Sequence, residues 1–121
     1  MYQNNIMTQY KFISMQPYKG AMKKKYTLVL SYPSSNKKYK ESNSLTLYKK
    51  IHFGSSLSTT FVEGADEETR KNYIARHSVN EDFSKLGPAS LARYILWGES
   101  KIISENLKDF MKKFNIQYNI K

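Results

Sequence analysis

Cysteine is absent from this chain of 121 residues. Its absence excludes disulfide bonds, zinc–thiolate sites and redox or nucleophilic chemistry on cysteine, and it agrees with an intracellular origin. Long apolar runs are also lacking, and none approaches the length of a membrane span. The first five residues have neither the basic start nor the apolar middle of a signal peptide. The sequence therefore predicts a soluble chain made in the cytosol or in a compartment connected with it.

Acidic residues are nearly missing from the first part of the chain. Residues 1–50 contain ten lysines and a single acid, Glu41, whereas residues 51–121 contain ten lysines and arginines against nine acids. Nearly all of the net charge of +10 therefore lies in the first part. This asymmetry predicts a surface that meets a negative partner, either nucleic acid or an acidic patch of another protein. Solubility alone is the alternative explanation.

The chain is short enough for one domain, which we assign to residues 25–114. Residues 1–24 are rich in Gln, Asn, Tyr and Met without a sustained apolar period, and they predict an N-terminal arm, either disordered or docked on a partner. Residues 115–121 form a tail that adds an edge strand or contacts a partner. The lysines predicted to contact nucleic acid or an acidic partner are Lys23, Lys24, Lys25, Lys37, Lys38, Lys40, Lys49 and Lys50. The arm residues predicted to dock on a partner are Tyr10, Phe12, Met15 and Tyr18.

Apolar and polar residues alternate with a period of two over residues 26–32 and again over residues 45–53. This period is typical of β-strands, and residues 57–61 could form one more short strand. The first half of the chain is therefore predicted to form an antiparallel β-meander or hairpin.

Helical spacing replaces this alternation in the second half of the chain. Asp66 is predicted to cap a helix that runs to about His77, and Ser78 to start a second short helix. Pro88 suits the first position of a further helix, and Ser100 can cap the last one. The predicted fold class is α+β, with three to four short helices after the strands. The predicted core residues are Ile51, Phe53, Tyr73, Ile74, Leu91, Ile95, Trp97, Leu107 and Phe110.

Groups that could carry catalysis are few. His77 and Glu81 would face each other on a continuous helix, which could orient an imidazole or hold a metal, but the capping signal at Ser78 favours a capping or packing role. The sequence contains no nucleophile elbow and no phosphate-binding glycine loop. We therefore predict no catalytic residue, no metal and no cofactor, and a small nuclease that uses His52 or His77 is a minor alternative. Trp97 is predicted to be buried, with a partner-facing role as the alternative.

Four segments carry a resemblance when they are taken together. Residues 50–54 read Lys-Ile-His-Phe-Gly, residues 70–77 hold the spacing RxxYxxRH, residues 81–83 read Glu-Asp-Phe, and residues 91–97 end in Leu-Trp. This combination resembles a small family encoded by large DNA viruses of eukaryotes, the phycodnavirus and mimivirus relatives. The resemblance covers about residues 26–110, with Phe83 where the family tends to have tryptophan. It implies a viral context but no established activity.

The resemblance and the charge asymmetry lead to the hypothesis of a non-enzymatic component of a virus particle, either a minor capsid protein or an internal protein. Its predicted partners are other virion proteins, with double-stranded DNA as a second partner and no small-molecule substrate. It would be made in the host cytoplasm or a viral factory and located in the virion. The alternative is a nucleic-acid-binding protein of the infected cell, with lysines on phosphates and Tyr39 or Tyr48 stacked on bases.

Overall fold

A three-stranded antiparallel sheet forms the first half of the fold. The computed structural model describes residues 9–34 and 45–119. Strands β1 (Lys11–Pro17), β2 (Lys24–Pro33) and β3 (Thr46–Ser55) lie side by side in chain order. The two alternating stretches of the sequence coincide with β2 and β3, because side chains of a strand point alternately to its two faces.

Strand β1 corrects the predicted arm. The sequence predicts an arm over residues 1–24, whereas the structure places residues 11–17 in the sheet, paired with β2. Phe12 lies opposite Leu30 and Met15 opposite Leu28, with a bulge between Phe12 and Ser14. The bulge lets two apolar residues at an odd spacing share one face of the sheet, so the period of two is hidden in the sequence.

Three helices follow the sheet: α1 (Glu67–Ser78), α2 (Pro88–Leu91) and α3 (Ile103–Lys113). As predicted, Asp66 caps α1, and its carboxylate accepts a hydrogen bond of 2.8 Å from the backbone N–H of Thr69. Helix α2 begins at a proline and continues as a π-helical turn, Ala92–Leu96. The sheet followed by three helices confirms the α+β fold class.

Two local predictions are wrong. No second helix starts at Ser78, because the backbone N–H groups of Asn80 and Glu81 both donate to the carbonyl of His77 and end α1 in a turn. No strand covers residues 57–61. The chain instead turns into a short 3₁₀ helix, Phe61–Glu63, which begins where the carboxylate of Glu63 accepts hydrogen bonds from the N–H and hydroxyl groups of Thr60.

The core lies between one face of the sheet and the helices. Of the predicted core residues, Tyr73 and Ile74 are half-buried and all the others are buried. The tail also joins the core, because Ile116 is buried and Gln117 exchanges backbone hydrogen bonds with Tyr10 and Phe12. Among the described residues, no helix combines the length and apolar character needed to cross a membrane.

Candidate nucleic-acid interface

The strand pairing divides the sheet into two faces of different chemistry. On the face that we call the covered face, the helices pack against Leu28, Leu30, Ile51 and Phe53. The opposite face, here called the open face, carries three rows of cross-strand neighbours, since paired residues of antiparallel strands point to the same side. The rows are Lys11–Ser31–Tyr48, Ser14–Val29–Lys50 and Gln16–Thr27–His52.

The open face is basic and carries an exposed aromatic ring. Tyr48 is 61% exposed, and Lys11, Lys50 and His52 are also exposed. Residues 9–34 and 45–55, which include all three strands, contain seven lysines and no acid. Every acid of the described residues lies instead between Glu63 and Asp109. Within the described residues, the open face therefore has no carboxylate of its own to balance its positive charge.

His52 is fixed on this face by uncharged neighbours. Its Nδ1 lies 2.7 Å from the hydroxyl of Thr27, its partner across the strands. The ring of Tyr18 meets it edge-on, with 4.9 Å between the ring centroids. These two contacts hold the imidazole in place on the open face.

The predicted contact lysines that the structure describes do not form one cluster. Lys50 is exposed on the open face, and Lys23 is exposed in the turn between β1 and β2. Lys24 is half-buried at the start of β2, and Lys49 is half-buried opposite Leu30 on the covered face. The remaining predicted lysines lie outside the described residues: Lys37, Lys38 and Lys40.

Lys25 has a structural role instead of the predicted contact role. Its ammonium group lies 3.0 Å from the Glu63 carboxylate, and its side chain is only 10% exposed. Burial alone would raise the pKa of Glu63, but hydrogen bonds from the backbone N–H of Thr60 and from Lys25 outweigh burial and lower this pKa. The pair therefore ties the start of β2 to the 3₁₀ helix.

A Glu63→Gln substitution is expected to lower the free energy of unfolding by about 0.5–1 kcal/mol at neutral pH, a small loss because the side chain is 40% exposed. Since the folded-state pKa lies below 4.5, the carboxylate stabilises the fold above that pH. This contribution disappears as the pH falls through the folded-state pKa. Urea unfolding followed by the fluorescence of Trp97 should therefore show a difference at pH ~7 that shrinks at pH ~3.

The matched control is Asp109→Asn, which removes an exposed acid that has no hydrogen bond or ion pair among the described residues. It should leave the stability nearly unchanged at both pH values. A difference for Glu63→Gln that persists unchanged in acid would show that its carboxylate charge is unimportant.

The residues predicted to dock on a partner pack against their own chain. Tyr10 meets Tyr32 edge-on at 5.4 Å between ring centroids, and Phe12 meets Tyr118 at 4.9 Å. Met15 packs against the core. Together with Tyr18 on His52, these contacts show that each of the four side chains covers an intramolecular surface, and docking on a partner stays a prediction.

Two residues of the open face, Lys11 and His52, are not among the contact residues that the sequence predicts. The sequence assigns Lys11 to the arm and offers His52 only as a catalytic candidate. The signal that places both is the register, since Lys11 lies opposite Ser31 and His52 opposite Thr27. His77, the other predicted histidine, lies away from this face on α1, where its Nδ1 is 2.8 Å from a Glu81 carboxylate oxygen.

Comparisons with known proteins give one match. Residues 20–77 match the model of a family of unknown function (DUF5754). The matched part, less than half of the chain, includes β2, β3 and nearly all of α1. This part is therefore similar to that family, whose description states no activity. No curated protein and no solved structure matches the chain.

Proposed function

We propose that the protein binds single-stranded nucleic acid on the open face of its sheet. The observation that carries the proposal is the row-by-row placement of Lys11, Lys50 and Tyr48 on a face that no helix covers among the described residues. Lysines on such a surface neutralise phosphates, and an exposed ring offers a platform on which a base can stack.

The shape of the face favours a single strand over a duplex. Three strands spaced about 4.8 Å apart give a surface roughly 10 Å across. A duplex is usually read by a helix or a two-stranded ribbon that enters a groove. The described part of the open face has no such projection, whereas single strands bind along sheet surfaces with their bases turned to aromatic side chains.

Oligothymidylate binding, followed by fluorescence anisotropy, should weaken as salt increases. Each phosphate contact on a single strand contributes about −0.7 to the slope of log K against log salt concentration. Lys11→Gln and Lys50→Gln should each reduce the magnitude of the slope by about that amount. Lys108→Gln on α3 removes an exposed lysine on the helical side and serves as the matched control.

The same assay tests the stacking contact. Tyr48→Ala should weaken binding about tenfold, because one base–aromatic stack contributes about 1–3 kcal/mol. Tyr48→Phe keeps the ring and should bind nearly as well as the unchanged protein. Both changes are at an exposed position, so the fold should be retained.

Three outcomes would contradict the proposal: affinity that is indifferent to salt, affinity unaffected by the changes at positions 11, 48 and 50, or a preference for duplex DNA over the single strand. The viral resemblance would locate the binding in an infected cell or a virus particle. Both locations remain predictions, as does the hypothesis of a virion component.

A further inference from the structure

A cleft on the other side of the molecule is separate from the open face. It lies between residues 54–60, helix α1 and residues 88–97, and its volume is about 670 Å³. Small-molecule sites usually have volumes of about 300–1,000 Å³, with apolar walls and a few polar groups. Here the apolar wall is formed by small and aliphatic side chains: Pro88, Ala89, Ala92 and Leu96.

One face of α1 supplies the polar wall. Thr69, Tyr73, Arg76 and His77 all line the cleft, as their spacing of one and two helical turns allows. Arg76 is exposed and makes no hydrogen bond or ion pair within residues 9–34 and 45–119. By contrast, Arg70 and Arg93, the other arginines, both donate to the carbonyl of Trp97. An arginine without such a structural partner at the edge of a cleft is available for a ligand.

Hydroxyl groups from the segment after β3 also line the cleft. Ser58 and Thr59 line the cleft and make no side-chain hydrogen bond within the part of the chain that the structure describes. A carboxylate would be satisfied by the guanidinium alone, since the two groups pair through two parallel hydrogen bonds. The additional hydroxyl donors suit a phosphate, which has more oxygens to satisfy.

A stack of rings holds His77, whose partner Glu81 also lines the cleft. The ring of Tyr73 lies 4.3 Å from that of Trp97 and 4.1 Å from that of His77, measured between centroids. The rings of Trp97 and His77 would overlap if both lay on one face of Tyr73, so they lie on opposite faces of its ring. Because the Glu81 carboxylate only accepts, Nδ1 of His77 carries the proton of their 2.8 Å hydrogen bond. Nε2 has no hydrogen-bond partner among the described residues.

From these contacts we infer that the cleft binds a small phosphorylated organic molecule, with its phosphate on Arg76 and its apolar body against the wall formed by α2 and the π-helical turn. His77 Nε2 is placed to form a hydrogen bond with a hydroxyl group of that molecule. This site goes beyond the proposed nucleic-acid binding. It would bind a small molecule, whereas the sequence predicts no small-molecule substrate.

Trp97 makes the test direct, because the only tryptophan of the chain lines the cleft. Its fluorescence would be titrated with adenosine monophosphate, ribose 5-phosphate, pyridoxal phosphate and inorganic phosphate, and with adenosine as the uncharged comparison. We expect a saturable change with at least one phosphorylated organic probe at up to millimolar concentration. That probe should bind more tightly than inorganic phosphate does. If the probe is adenosine monophosphate, it should also bind more tightly than adenosine.

Arg76→Gln should weaken this binding at least about tenfold, because it removes a charged hydrogen-bond donor at an exposed position where the fold does not depend on it. Lys71→Gln, an exposed charge on the same helix that does not line the cleft, is the matched control. Lys50→Gln should not affect the fluorescence change, which separates the cleft from the open face. The inference is overturned if no phosphorylated probe gives a saturable change, or if Arg76→Gln binds as well as Lys71→Gln.

Discussion

Asn106→Ala is expected to lower the free energy of unfolding by about 3–4 kcal/mol. Asn106 is 2% exposed on α3, and its amide nitrogen donates to the carbonyls of Ile95 at 3.0 Å and Ser100 at 2.7 Å. Its amide oxygen accepts from the backbone N–H of Ser100 at 3.1 Å. Alanine removes all three bonds, and each buried backbone group left without a partner costs about 1–3 kcal/mol.

Urea unfolding, followed by the fluorescence of Trp97, measures this loss. Asn106→Asp should be at least as damaging, because a carboxylate keeps the shape and the acceptor but cannot donate to the two carbonyls. Asn72→Ala, at an exposed position in α1, should have little effect or stabilise slightly. A loss below about 1 kcal/mol for Asn106→Ala would mean that water replaces the amide.

Gly98 is part of the same structure. A side chain at Gly98 would collide with the backbone oxygen of Tyr94, and its Cβ would lie 2.6 Å from the amide carbon of Asn106. The loop between the π-helical turn and α3 is therefore shaped around the Asn106 amide, which explains why a glycine is needed there.

Arg70→Met is expected to lower the free energy of unfolding by about 2–3 kcal/mol. The Arg70 side chain is 13% exposed, and its Nε lies 3.1 Å from the carbonyl oxygen of Trp97 and 2.9 Å from that of Gly98. Its guanidinium also lies over the ring of Phe61, 5.5 Å from the centroid. Methionine fills a similar volume but leaves two carbonyls at the end of a helix without the charged donor.

Thermal and urea unfolding should agree on this loss, and Lys71→Met, at the exposed neighbouring position, should change the stability by less than about 0.5 kcal/mol. Arg93 donates to the same Trp97 carbonyl at 3.2 Å, and burial lowers the pKa of its guanidinium. An Arg70→Met variant as stable as Lys71→Met would contradict the prediction, because it would mean that Arg93 alone is sufficient to satisfy this carbonyl.

The elements that the sequence predicts well are those with local causes. The alternation in β2 and β3 and the cap at Asp66 are set by residues within one element, so they can be read without knowledge of the fold. Strand β1 is not predicted from the sequence, because its register depends on a bulge and on a partner strand. The turn after α1 is not predicted either, because the Glu81 side chain forms its hydrogen bond with His77 instead of completing a capping box at Ser78.

The candidate sites depend on contacts between distant parts of the chain. The charge asymmetry predicts a basic surface, but only the register separates Lys50 on the open face from Lys49 on the covered one. Lys25 looks like its lysine neighbours in the sequence, and its partner Glu63 follows 38 positions later. The cleft likewise joins α1 to residues from β3 and the π-helical turn, which no spacing in the sequence brings together.

The pairing of β1 with the tail has a consequence for folding. The backbone N–H of Phe12 donates to the carbonyl of Gln117 at 2.8 Å, so the outer edge of β1 is covered by a residue that lies far along the chain. Until that contact forms, this edge is open to pairing with a second molecule. Because closing so long a loop is entropically costly and slow, strand exchange between copies would be most frequent while the chain is only partly folded.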